Sequence, residues 1–333
     1  MNKLLTISIA AYNVEKTLEK TLNSLYDERI LNDIEVLIID DGSKDDTASI
    51  GICYENKAPN TFKYIKKENG GHGSTINKGI ELASGKYFKV IDGDDWVDTE
   101  TLVTFIGKLK HTNSDMILTN FTEVYPDYEK KVNLVSGMEK NVEYHWDDSF
   151  YIRRVVLHTL TIKTELLKKN NVNITENCFY VDVEYVVWSI YVSNTLEYYD
   201  LYLYMYRMGN EGQSVNKKNM LKNVKMQEKV SYKLVTLYND FIKNRELTGY
   251  KEKVFFNTFK RSIGSTMRTY LLLDNTREAK KNIIRFDSEI NVISKIAFKR
   301  LYSDKFIRVL RFNNYKLTSI IKKAYGIWVK RYE

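Results

Sequence analysis

The sequence predicts an α/β fold with a mainly parallel sheet, followed by a C-terminal α-helical region. Strand and helix signals alternate through the first hundred or so residues at the spacing of βαβ units, with helices expected on both faces of the sheet. Beyond about residue 215 the strand signals fade and Lys-rich helical periodicity runs to the end. Charge divides at the same place. Residues 215–333 hold 28 Lys and Arg against 10 Asp and Glu, whereas residues 1–214 hold 23 against 33, so a net +8 conceals halves of +18 and −10. The expected division is therefore 1–214 and 215–333, two regions with two jobs. A general taste for Lys would explain its abundance but not its segregation.

Element by element, "LLTISIAAY" reads as a buried strand, and "VEKTLEKTLNSLY" as a helix with Val14, Leu18, Leu22 and Leu25 on one face. "DIEVLIIDDGS" is a second strand that stops at a polar turn; "DDTASIGICYEN" is a helix and "FKYIKKE" a third strand. "GGHGSTINKGIELASG" runs from a Gly-rich loop into a helix with Ile76, Ile80 and Ala83 inward, closed by Gly85. "KYFKVID" is the fourth strand, "TETLVTFIGKLKHT" a helix and "DMILTNFTEVY" a further strand. Near the C-terminus, "KLTSIIKKAYGIWVKRY" places Leu317, Ile320, Ile321, Ala324 and Trp328 on one helical face.

The chemistry gathers at strand ends. "YFKVIDGDDWVD" sets Asp92, Asp94 and Asp95 into four positions behind an apolar run, an arrangement whose mutual repulsion gains no stability. In open α/β sheets ligands bind at the carboxyl ends of strands. "AAYN" follows the first strand, "DDGS" the second and "DGDD" the fourth. Each is weak alone, since Asp-Gly is ordinary turn chemistry; together and in this order they are specific. Several carboxylates on one rim suit a hard divalent cation with bound phosphates. Asp92 and Asp94, two apart, can point the same way from extended chain. Asp95 reads equally well as a direct participant or as favourable charge at the start of the next helix.

The set "AYN", "IDDGSKDDT", "ENGG" with "NKG", "DGDDW" and a later acidic site resembles the family-2 glycosyltransferases, inverting enzymes with the GT-A nucleotide-sugar-binding fold. The resemblance covers residues 4 to about 215, roughly two-thirds of the chain. It implies sugar transfer from a nucleotide donor, usually a UDP-sugar, to an acceptor hydroxyl. Ala11, Tyr12 and Asn13 would line the nucleotide pocket, with Tyr12 on or beside the base. Asp40 and Asp41 would reach the uracil or ribose, Asp41 as the preferred reader of the uracil N3–H. Asp92 and Gly93 would lie near the ribose, with Asp94, and Asp92 beside it, on a Mn²⁺ or Mg²⁺ that stabilises the leaving diphosphate. The base that deprotonates the acceptor would be Asp182, about ninety residues on, with Glu184 as runner-up. Val181 stands where the family often has Glu. Arg207, Gln213 and Ser214 would belong to a loop closing over the donor, flanked by Gly209 and Gly212; a plain interdomain turn is the competing reading. Asn77 and Gly79 match a donor-side motif in which Ile76 replaces the usual Arg, leaving His72 or Lys78 to supply the missing polar contact. Trp96 would either flank the acceptor or pack internally.

Composition narrows the rest. Cys53 and Cys178 lack metal-ligand spacing and fit a reducing compartment. The N-terminal apolar run is too short for a signal peptide, and no uninterrupted apolar stretch approaches the ~20 residues of a membrane span. The expectation is a cytoplasmic protein, peripheral on the inner face of a membrane if attached at all. The basic, aromatic-rich C-terminal helices are expected mainly to pack together, with part meeting an anionic membrane surface; they also allow a homodimer. Nucleic acid would satisfy the same charge, but nothing in residues 1–214 supports it. A nucleotidyltransferase would want a phosphate cradle where the chain reads "AAYNVEKT". The expected activity is metal-dependent hexosyl or N-acetylhexosaminyl transfer in bacterial surface polysaccharide, teichoic acid or glycoprotein assembly, the acceptor being glycan, lipid-linked or protein. The rival from another class is an inactive nucleotide- or glycan-binding module of the same fold.

Overall fold

A computed structural model describes residues 3–146, 149–209, 216–312 and 314–332. The chain forms two compact units, Met1–Asn210 and Glu211–Glu333.

The first unit opens with β1 (Leu5–Ala11), α1 (Leu18–Asn23), β2 (Ile34–Asp40), α2 (Thr47–Lys57), β3 (Phe62–Lys66), α3 (His72–Leu82) and β4 (Tyr87–Asp92). These four strands lie parallel in the order β3-β2-β1-β4. β2 is buried along its whole length and β1 along nearly all of it, as the apolar runs require. Their register is level at the carboxyl ends: Ala11 pairs with Asp40, and Ala10 with Asp92. Three motifs far apart in sequence thus end side by side.

Beyond β4 come β5 (Trp96–Val97), α4 (Thr99–Leu109), β6 (Met116–Val124), β7 (Glu129–Val132), β8 (Val135–Ser136), β9 (Tyr144–His145), β10 (Tyr151–Ile152), β11 (Leu160–Lys163), α5 (Thr164–Lys169), α6 (Asp182–Val192) and β12 (Thr195–Arg207). The sheet continues β4-β11-β6-β12-β5, while β8 and β10 pair separately. Here the sheet is mixed. β6 and β12 are parallel, but β11 is antiparallel to both β4 and β6. It returns from the β7–β10 excursion without a crossover helix, so it need not run parallel.

Two local expectations change. "VEKTLEKTLNSLY" is helical only over Leu18–Asn23. The Val14 and Glu15 amides are spent on Thr47 Oγ1 and Asp45 Oδ2 at 2.9 and 3.0 Å, which ties the segment to the turn after β2. Gly85 is not a left-handed cap. A Cβ there would lie 2.5 Å from the Thr6 amide nitrogen, so the glycine permits β1 to pass.

In the second unit the described residues form helices α7 (Lys217–Lys222), α8 (Val224–Lys243), α9 (Gly249–Leu271), α10 (Thr276–Ile293), α11 (Lys295–Arg300), α12 (Lys305–Arg311) and α13 (Thr318–Tyr332). Tyr238 of α8 packs among Phe255, Phe256 and Phe259 of α9 at 5.0–6.1 Å. Arg311 is buried, forking onto Asp287 at 2.6 and 2.7 Å and donating to the Phe298 carbonyl at 2.7 Å. Not every basic residue of the tail is therefore surface charge. The expected apolar face of α13 is only partly covered: Leu317 and Ile321 are half-buried, whereas Ile320 is 67% exposed and Ala324 is exposed. No helix among the described residues is long and apolar enough to cross a membrane.

Candidate active site

The turn after β1 and the turn after β2 hold each other. Asn13, in left-handed backbone at φ 53°, donates its amide to Ser43 Oγ and accepts from the Lys44 amide, both at 2.9 Å. Asp40 is fully buried, accepting from the Ser43 amide at 2.8 Å and from the Tyr64 hydroxyl. Asp41 accepts from Lys67 Nζ at 2.6 Å, the Gly70 and Gly71 amides at 2.9 and 2.7 Å, and Ser74 Oγ at 3.2 Å. Both carboxylates, expected to reach a nucleotide, also brace the wall of the rim through these bonds. Ala11 is buried, whereas the Tyr12 ring is 48% exposed beside them.

At the end of β4 the chain turns inward. Gly93 donates to the Ala10 carbonyl at 3.0 Å, and a Cβ there would sit 2.9 Å from that oxygen. Thr17 and Thr21 donate to the Gly93 carbonyl at 2.9 and 3.1 Å, and Thr21 also to that of Asp95 at 2.6 Å. Tyr204 of β12 bridges the acids, its hydroxyl accepting from the Asp92 amide at 3.2 Å and donating to Asp95 Oδ2 at 2.6 Å. The Arg207 amide supplies Asp95 Oδ1 at 2.8 Å, and Arg207 Nε donates to the Asp94 carbonyl at 2.8 Å. Asp95 is 1% exposed and does not cap α4; Asp98 does, accepting from the Thr101 amide. Burial, with the charges of Asp92 and Asp94, lifts the Asp95 carboxyl well above its ordinary range. Burial and Asp92 raise Asp94 as well.

A residue that no motif signalled completes the cluster. Asp92, Asp95 and His158 each bring one ligand atom within 4.8 Å of the other two. Asp94, expected beside Asp92 on the ion, is not one of these three. Lys89 fixes the 3₁₀ turn that carries His158, donating to the His158 and Leu160 carbonyls at 3.1 and 3.2 Å. The imidazole lies against Tyr206, Tyr204 and Phe121 at 4.2, 4.7 and 5.1 Å. Burial draws its pKa to about 4, with Asp92 opposing, so it is a neutral nitrogen donor at physiological pH. Two carboxylates and one imidazole, with Asp95 buried and the others partly buried, make a donor set that a divalent ion would fit.

Asp182 opens α6 beside this cluster, after a loop strained at Asn177 (φ 52°) and Tyr180 (φ 66°). Its side chain is open to water, yet enough protein surrounds it that desolvation raises its pKa, His72 opposing and Asp92 reinforcing. His72 Nε2 lies 3.0 Å from Asp92 Oδ1. Burial alone would lower the His72 pKa, but Asp92, Asp182 and Asp94 together raise it. Glu184 is buried and accepts from the Thr175 amide at 2.9 Å, which removes it as an alternative base.

Asn77 is engaged within the fold. Its amide group donates to the Ile174 carbonyl at 2.9 Å and Glu176 Oε1 at 3.0 Å, while its oxygen accepts from the Ile174 amide at 2.8 Å. It clamps the loop that carries Asp182 and has no donor group left for a ligand. Gly73 makes that loop's close approach possible, since a Cβ would fall 2.1 Å from the Thr175 carbonyl oxygen. Ile76 is buried and Lys78 pairs with Glu81 at 2.9 Å, leaving His72 as the polar group of this helix that reaches the acids. Trp96 is flanked by Lys20 at 3.2 Å and Arg207 at 5.0 Å. Gln213 and Ser214, with Gly212, lie outside the described residues.

Residues 6–163 match the family model described as Glycosyl transferase family 2. This chain carries a family-2 glycosyltransferase domain. Among curated relatives it is 33% identical over 128 residues to the "Putative glycosyltransferase EpsH" of Bacillus subtilis, covering 38% of this chain and 36% of that one. To the "Cholesterol galactosyltransferase" of Borreliella burgdorferi it is 27% identical over 226 residues, covering 63% and 62%. The aligned segments thus span less than two-thirds of these relatives. The structure of Staphylococcus aureus TarS 1-349 in complex with UDP-GlcNAc superposes with a TM-score of 0.55 at 18% identity, covering 87% of this chain and 90% of that one, a likeness of fold.

Two features of the glycosyltransferase domain escaped the motifs. His158 sits in "RRVVLHTLTIK", where a lone histidine carries no spacing signal, and Tyr204 lies in a tyrosine-rich strand. Because the Asp94 pKa is raised, the folded metal-free chain binds this proton more tightly than the unfolded one. Stability should therefore fall as pH climbs from the ordinary carboxylate value through the raised one, and stay lower above it. Asp94→Asn lacks that loss. In EDTA its Tm relative to the parent should increase between about pH 4 and about pH 8; a pH-independent difference contradicts the assignment.

Proposed function

We propose that the protein is a metal-dependent inverting glycosyltransferase that moves a sugar from a UDP-sugar to an acceptor hydroxyl. The observation that carries this is the meeting of the Asp92–Asp95–His158 group with Asp182 at one rim of the sheet. The UDP and UDP-GlcNAc complexes of the similarly folded TarS support a uridine nucleotide as donor. A bound Mn²⁺ or Mg²⁺ would supply charge neutralisation for the departing diphosphate. The exposed Tyr12 ring would stack on the base, with Asn13, Asp40 and Asp41 holding the wall behind it. Asp182 would take the acceptor proton at its carboxylate oxygen. Its raised pKa makes it a stronger base, and its water-open tip leaves room for the hydroxyl. His72, between Asp92 and Asp182, would keep these two acids from sharing a proton. Arg207, Gln213 and Ser214 remain assigned to the donor-closing segment.

Ligand-linked stabilisation tests the donor half. UDP with Mn²⁺ at about a hundredfold excess over Kd should stabilise the fold by about 2.7 kcal/mol, visible as a rise in Tm, while UDP with EDTA should do far less. Asp182→Asn should keep that rise and lose roughly 10²–10⁴-fold in transfer rate. A parent protein that binds UDP but transfers to no acceptor would instead mark a nucleotide-binding module.

We also place part of the second unit against an anionic membrane. The outer stripe of α12 presents Lys305, Arg308 and Val309 with Phe312 just beyond its end, and Lys316 before α13 joins Ile320 and Lys323 on it, all exposed. Among residues 291–326 the only acid is Asp304, which caps α12. Lipid accommodates aliphatic side chains between cations, as an aqueous nucleic-acid groove does not. Phosphatidylglycerol vesicles should retain the protein in flotation and release it in Val309→Asp/Phe312→Asp; equal retention of parent and variant contradicts the placement.

A further inference from the structure

The hairpin between β6 and β7 carries a stacked aromatic pair at its turn. Tyr125 and Tyr128 stack at 4.4 Å between ring centroids and 11° between planes, closed by the Tyr125 amide on the Tyr128 carbonyl at 2.9 Å. Tyr125 is half-buried and backs one side, its hydroxyl donating to Glu123 at 3.2 Å; Tyr128 is 57% exposed. Stacking against Tyr125 holds the outer ring in a fixed orientation with one face toward solvent.

The position of this pair is informative. Val124, one residue before it, stands opposite Arg207 in the β6–β12 ladder, and the Met208 amide donates to the Val124 carbonyl at 2.8 Å. Arg207 is the residue whose amide holds Asp95. The stack therefore sits at the same end of the sheet as the acidic rim, on the far side from β1, β2 and Tyr12.

We propose that Tyr128, backed by Tyr125, is a stacking platform for a pyranose ring of the acceptor, an inference that rests on the donor reading of the acidic rim. A pyranose with axial hydrogens on one face offers a flat apolar patch the size of a phenol ring, while its edge hydroxyls meet the charged residues around it. Asp127 and Glu129 flank Tyr128 in sequence. They oppose a nucleoside diphosphate at this spot and suit an uncharged sugar.

Saturation-transfer NMR of the full chain with methyl β-glucopyranoside, methyl β-galactopyranoside and chitobiose, with no donor present, tests the platform. At least one glycoside should bind, with transfer concentrated on the hydrogens of one ring face. Tyr128→Ala should weaken it by about five- to tenfold, and Tyr128→Phe should bind as the parent does. Equal binding by Tyr128→Ala, or no binding of any of the three by the parent, overturns the platform. The UDP–Mn²⁺ rise in Tm is measured on the same samples. Its absence would sink the donor reading, and with it the acceptor role, even where glycoside binding depended on Tyr128.

Discussion

The structure depends on how three aspartates are kept together at the end of β4. Asp92, Asp94 and Asp95 repel one another, and burial makes each charge dearer. The fold answers with fixed donors. Tyr204 and the Arg207 amide donate to Asp95, His72 stands at ion-pair distance from Asp92, and Thr17 and Thr21 pin the backbone between them. Long strand β12 exists in part to deliver Tyr204 and Arg207 to this turn. The proposed divalent ion would offset the acidic charge that those donors do not.

A second constraint sets the base against that charge. The Asp182 loop has left-handed residues on its approach and would wander without anchors. Asn77 bonds it from α3, Gly71 and Gly73 let its backbone come against the helix start, and Glu184 catches Thr175 from within α6. Because His72 sits between the two glycines, the contact that seats the loop also fixes an imidazole 3.0 Å from Asp92, within the electrostatic reach of Asp182. Ground shared by loop, helix and acid cluster is why a substitution at Gly73 would be felt at Asp182 although the two never touch the same ligand atom.

Much of this was legible in the residues. β1 to β4 announce themselves by apolar runs of the right length, each ending at a polar or glycine-bearing turn, and the rim followed from the rule for strand ends. Asp182 was reached by resemblance rather than by pattern. The structural work of the motif residues was not legible: Asp40, Asp41 and Asn77 lie in motifs that suggest ligand contacts, and in the folded chain they also bond to backbone amides and to Lys67, Tyr64 and Glu176. Sequence reports that a carboxylate is present, not which donors reach it first. His158 was invisible for the converse reason: one histidine in an apolar segment has no periodicity, and only the antiparallel return of β11 brings it to the acids. The second unit was legible as basic helices, but the burial of Arg311 and the exposure of Ile320 turn on helix packing that charge counts do not encode.

The most direct test is manganese anomalous diffraction from crystals grown with UDP. The account requires a single strong peak within coordination distance of Asp92, Asp95 and His158, with the diphosphate on its open side and the uracil toward Tyr12. A peak elsewhere, or UDP bound at this rim with no metal beside those three residues, would contradict it.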